Sequence, residues 1–73
     1  MATATMPSCV EQIGEAAGLV WQALDREGTM SLARLARETG VSRDLAMQAV
    51  GWLAREGKIE IQEKRRSRLA SLK

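Results

Sequence analysis

The chain lacks histidine, tyrosine and phenylalanine altogether, and has one proline and one cysteine. Each shortage closes a route. A single cysteine, Cys9, rules out an intramolecular disulfide and fits a reducing, intracellular setting, so a cytoplasmic location is expected. One cysteine without histidine leaves no nitrogen and sulfur ligand set for zinc. There is no serine–histidine or cysteine–histidine pair and no glycine-rich phosphate loop, so no enzyme activity and no cofactor are expected. A small-molecule substrate is not expected either, because a domain this small has little room for a pocket of roughly 300–1,000 Å³. The opening MATATMPS has neither the basic start nor the apolar run of a signal peptide. No stretch approaches the roughly 18 consecutive apolar residues of a membrane span, and no membrane association is expected.

What remains is a 73-residue chain rich in small and branched aliphatic residues. Trp21 and Trp52 are its only aromatic side chains, so the core has to be built from Val, Ile, Leu, Ala and Met. A domain of this size buries only about 60% of the surface its unfolded chain exposes. A dimer interface would add to such a core, although no residue demands one. The formal net charge is +2, unevenly spread. Residues 1–40 hold three arginines against five acidic residues, whereas residues 41–73 hold eight basic residues against four acidic ones. Four of the eight, Lys64, Arg65, Arg66 and Arg68, fall within five positions. An asymmetry of this sign suggests an anionic partner; a solvated basic end is the plainer alternative.

Residues 1–7 show no apolar periodicity and are expected to be a disordered tail ahead of one domain over 8–73. Ser8 followed by Glu11 fits a capping box. A first helix is expected from about Cys9 to Glu27, with Val10, Ile13, Ala17, Val20, Trp21 and Leu24 on its apolar face and Gly28 ending it. Trp21 is expected in the core. Gly14 and Gly18 each cost about 1 kcal/mol relative to alanine inside a helix. Close approach of Trp52, or of the backbone near Gly51, is the favoured reason for them, with a partner subunit as the second. Thr29 and Met30 are expected to form a short extended segment. Ser31 caps a second helix, Leu32 to Glu38, and Thr39-Gly40-Val41 makes a tight turn. Ser42 then caps a third helix, Arg43 to Glu56. Ile59 and Ile61 alternate with polar residues as a half-buried strand does. The chain turns at Lys64 to Ser67 and returns over Arg68 to Leu72, with Ala70 and Leu72, or Leu69, packing inward.

These elements make an α+β fold of the winged helix–turn–helix type: three helices with a two- to three-stranded antiparallel sheet. The segments GEAAGLVWQAL (Gly14–Leu24), SLARLARETGV (Ser31–Val41) and AVGWLAREGKI (Ala49–Ile59) resemble a family of small prokaryotic winged helix–turn–helix proteins of uncharacterised function. The resemblance covers about residues 9–73, with GWLARE before a hydrophobic strand as its most specific part. More distantly the arrangement is similar to the DNA-binding domains of MarR- and ArsR-type regulators. The resemblance implies the fold; it supplies no catalytic residue and no ligand.

In a helix–turn–helix the second helix of the motif enters the major groove and its N-terminal residues touch base edges. Here those positions are Ser42, Arg43, Asp44, Met47 and Gln48, with Arg43 suited to guanine and Gln48 to adenine. Ser31, Arg34, Arg37 and Ser42 would face phosphates, and Lys64, Arg65, Arg66 and Arg68 would lie along the backbone or minor groove. Against sequence reading, the third helix balances Arg43 and Arg55 with Asp44 and Glu56, and Asp44 would repel phosphate. Met47 and Gly51 offer no hydrogen bonds. The expectation is therefore weak, salt-dependent DNA binding carried mainly by the wing, in a role connected with transcription. The alternative is a protein-interaction or dimerisation module. In the first reading Trp52 is a ring packed on the first helix; in the second it is an interface anchor. Leu19 lies opposite the apolar face, where a dimer would use it. Cys9 is read as an inert thiol, and Glu11 and Glu15 as capping and solvated carboxylates.

Overall fold

The computed structural model describes residues 8–73; the expectation for residues 1–7 lies outside them. Three helices and three short strands follow one another in the order α1, β1, α2, α3, β2, β3. Helix α1 spans Cys9–Glu27. The Ser8 hydroxyl accepts from the Glu11 amide at 3.1 Å, and the Glu11 carboxylate accepts from the Ser8 amide at 2.8 Å, closing the capping box. Gly28 ends the helix, its amide donating to the Leu24 carbonyl at 2.8 Å.

Strand β1, Met30–Ser31, runs directly into α2, Leu32–Thr39. Ser31 thus serves twice, pairing in the sheet and accepting from the Arg34 amide as the N-cap of α2. The helix runs one residue past Glu38 because the Thr39 hydroxyl donates back to the Leu35 carbonyl at 2.7 Å. Gly40 then takes the left-handed conformation, φ 76°, that the tight turn requires. Helix α3, Arg43–Arg55, begins at Ser42, whose hydroxyl accepts from the Leu45 amide at 3.1 Å; Glu56 is its C-cap rather than its last turn.

Strands β2, Ile59–Lys64, and β3, Ser67–Leu72, form an antiparallel hairpin. The sheet order is β1–β3–β2, with Met30 opposite Ala70 and Ile59 opposite Leu72. Three helices on a three-stranded antiparallel sheet make the α+β, winged helix–turn–helix architecture.

The core is small and aliphatic. Leu24, Leu35, Val20 and Val50 are its largest fully buried side chains, and Met30, Ile59 and Ala70 close it from the sheet. No polar or charged residue is buried among the described residues, so every buried group contributes through apolar transfer and packing. Leu72 and Leu45 pack against this cluster from its edge.

Two expectations about α1 are corrected. Trp21 is 40% exposed and Val10 65% exposed, while Ala16 and Ala23, absent from the expected face, are buried. The buried stripe is centred on Val20 and turned toward the alanines by roughly half of a residue's 100° step. The difference is one of size: the small Ala16 and Ala23 side chains are buried, and the bulky indole is left on the flank. The second correction concerns Gly14 and Gly18. A methyl built on either would meet nothing within 4 Å, so neither Trp52 nor the backbone near Gly51 fills the space above them. Trp52 is itself 45% exposed and lies beside the same face of α1. Ile61 is also exposed, because β2 is an edge strand and its half beyond Ile59 extends past the helices.

Candidate functional site

The helix–turn–helix and the hairpin converge on one place. Ser31 and Leu32 at the start of α2, Arg43 and Met47 on α3, and Arg66 to Arg68 on the hairpin line a groove of about 470 Å³. Two local features build it. Capping by Ser42 starts α3 at Arg43, which puts that guanidinium on the first turn. Pairing of Ser31 with Leu69 hangs β3, and with it the wing, beside the start of α2.

The wing turns in two residues. Lys64 pairs with Ser67, leaving Arg65 and Arg66 as the loop, and Arg65 has φ 53°. Two-residue hairpin loops require positive φ and favour glycine, asparagine or aspartate there. Arginine holds this conformation against steric resistance of about 1–2 kcal/mol.

The nine residues singled out in the sequence divide by their partners. Arg43, Arg66 and Arg68 share the groove. Arg68 is tied at 3.6 Å to Glu63, its cross-strand neighbour. Lys64 and Arg65 are exposed at the wing tip; like Arg43 and Arg66, they make no ion pair among the described residues. Arg34 stands apart: its guanidinium donates to Glu27 at 2.7 Å and lies 3.7 Å from Glu38. It fastens α2 to the end of α1 and is not available as a free cation. Arg37 and Gln48 are exposed but do not line the groove. The Ser42 hydroxyl is occupied as a cap.

Sequence reasoning missed Ser67, Leu32 and the double role of Met47. Met47 is half-buried against the core while it lines the groove. The hairpin register, with a turn of two residues rather than four, was the signal that would have found Ser67.

A second concavity lies elsewhere, and it is larger than the expectation for so small a domain allowed. Gly14, Gly18 and Trp21 of α1 line it with Trp52 near the end of α3, Lys58 and Lys73, around about 660 Å³. The Lys73 amide donates to the Lys58 carbonyl at 3.1 Å, and the Lys58 ammonium lies 3.5 Å from Glu56. Among the described residues no helix is long and apolar enough to cross a membrane.

The fold has a solved counterpart. The solution NMR structure of protein BT2368 from Bacteroides thetaiotaomicron is 37% identical in sequence, with a TM-score of 0.77 over 85% of this chain and 76% of that one. No curated protein matches the chain. The model of the family described as winged helix-turn-helix domain (DUF2582) matches residues 9–72, nearly the whole fold built above, and the chain belongs to that family.

Proposed function

We propose that this domain is a non-enzymatic nucleic-acid-binding module that engages duplex DNA electrostatically through Arg43 and the wing. The observation that carries it is the convergence of Arg43 with Arg66 and Arg68 on one groove. Lys64 and Arg65 add exposed positive charge at the wing tip, next in the chain to Arg66. Ser67 adds a hydroxyl suited to phosphate oxygens. Backbone contact of this kind positions a protein without reading sequence, and the rest of α3 supports that limit. Asp44 is exposed on its first turn, Met47 is drawn toward the core, and Gln48 lies away from the groove. A role beside a transcriptional regulator, or within one, suits a module of this character.

Charge neutralisation of four to five phosphates gives a slope of log K against log salt of roughly −4. Anisotropy of a labelled duplex, titrated at several salt concentrations, measures it. Absence of binding at low salt, or a slope near zero, rules the reading out.

A further inference from the structure

Strand β2 is paired on one side only: β3 separates it from β1, and among the described residues no strand covers its other edge. Such an edge offers a row of backbone donors and acceptors to another chain. We propose that it joins the β2 edge of a second copy of the chain, antiparallel across a two-fold axis at Gln62. The inference does not rest on the nucleic-acid reading, and its test contains no DNA.

The hairpin fixes which backbone groups are free. Its two-residue loop sets Lys64 opposite Ser67, the pair that a tight turn joins by a hydrogen bond. At the far end the Lys73 amide donates to the Lys58 carbonyl at 3.1 Å. Bonded positions alternate along an antiparallel pair, so Lys58, Glu60, Gln62 and Lys64 turn their backbone groups toward β3. Ile59, Ile61 and Glu63 turn theirs outward. A partner strand bonds this edge only where outward residues meet outward residues. The two-fold axis must therefore pass through a residue and not between two.

Charge selects the residue. An axis at Glu60 or at Glu63 sets that carboxylate against its own copy. An axis at Ile61 pairs no opposite charges and sets Lys58 against Lys64. With the axis at Gln62, Glu60 of each copy lies opposite Lys64 of the other, twice over. The pairing ends there, because Arg65 and Arg66 form the turn and leave the edge. Neither Glu60 nor Lys64 makes an ion pair among the described residues. Both share the open face of the sheet, since Ile59 is buried on the other face and side chains alternate. On that inner face Ile61, 41% exposed, comes diagonal to its own copy, and Glu63 opposite it is already held by Arg68 at 3.6 Å. The charges that blunt the edge in other registers admit this one.

The ladder is short, so association belongs to the micromolar to millimolar range. Sedimentation equilibrium of the full chain from about 10 μM to 1 mM should show a weight-average mass rising from one protomer toward two. Amide exchange followed by NMR over the same concentrations should slow most at Ile61 and Glu63, whose N–H groups are free in the monomer. Gln62, already bonded to β3, should change little.

Glu60→Lys and Lys64→Glu should each weaken association about tenfold, because each sets like charges at both symmetric positions. The chain carrying both exchanges should associate like the parent. Both positions are exposed, so all three variants keep the fold. A monomer at every concentration overturns the proposal. So does a dimer that leaves exchange at Ile61 and Glu63 unaltered, or one indifferent to the single substitutions. A double exchange no better than the singles overturns it as well, since the axis at Gln62 requires recovery.

Discussion

Arg34 and Glu27 meet at 2.7 Å, joining the first helix of the helix–turn–helix to the last turn of α1. The pair converts an arginine from a candidate phosphate contact into a strut. Both side chains are partly exposed, so the strut contributes less than about 1 kcal/mol. Arg34→Ala should lower urea stability by that small amount and leave DNA affinity within about twofold at fixed salt. Arg43→Ala should do the reverse: little change in stability, and a salt slope smaller by about one. Parallel denaturation and anisotropy measurements on the two variants separate the roles.

The wing tip should show a conflict between stability and binding. Arg65 holds positive φ without being glycine. Arg65→Gly relieves that resistance and should raise stability by about 0.5–1 kcal/mol while weakening DNA binding. Arg66→Gly gains nothing in return, since Arg66 has no positive φ, and should be neutral or slightly destabilising. Thermal melts of the two variants make the comparison.

Glycine-to-alanine substitutions should split by sign. At Gly18 the new methyl meets open space in a regular helix, so Gly18→Ala should stabilise by about 1 kcal/mol, worth about 4–8 °C in Tm. At Gly40 the left-handed backbone penalises any side chain, so Gly40→Ala should destabilise by a similar amount. Calorimetry on both variants tests the assignment; equal shifts in one direction would contradict it.

Removing the Ser42 hydroxyl leaves the first turn of α3 without its cap. Ser42→Ala should cost about 1 kcal/mol and fray the turn that carries Arg43, lowering affinity along with stability. Hydrogen exchange at the Leu45 amide reads the local effect directly.

The core has little reserve. Leu35 is fully buried at the centre of α2, and Leu35→Ala should cost about 2–5 kcal/mol. That is a large share of what a domain of this size commands, and the urea midpoint followed by circular dichroism should fall sharply.

Most of the fold was legible because its boundaries are chemical. Ser8, Ser31 and Ser42 are caps whose side chains bond their own helices, and Gly28 and Gly40 are conformational stops. Such signals act within four residues and survive in a bare sequence. The candidate site was legible in part. The density of charge at Lys64 to Arg68 was plain, but its convergence with Arg43 depends on strand register. The pairing of Arg34 with Glu27 depends on where two helices cross. Trp21 was misplaced for a different reason. Hydrophobicity put it on the apolar face, whereas close packing favoured Ala16 and Ala23, and volume decided between them.

The sheet order β1–β3–β2 has a bearing on how the protein is made. Its central strand is the last of the three to leave the ribosome. Until residues 67–72 emerge, the growing chain holds helices with two strands that have no partner, and Met30 and Ile59 lack the wall that β3 provides. The hairpin and the strand from the front of the motif are then joined in one event by the same segment. Tertiary structure waits for β3, and wing and core arrive together.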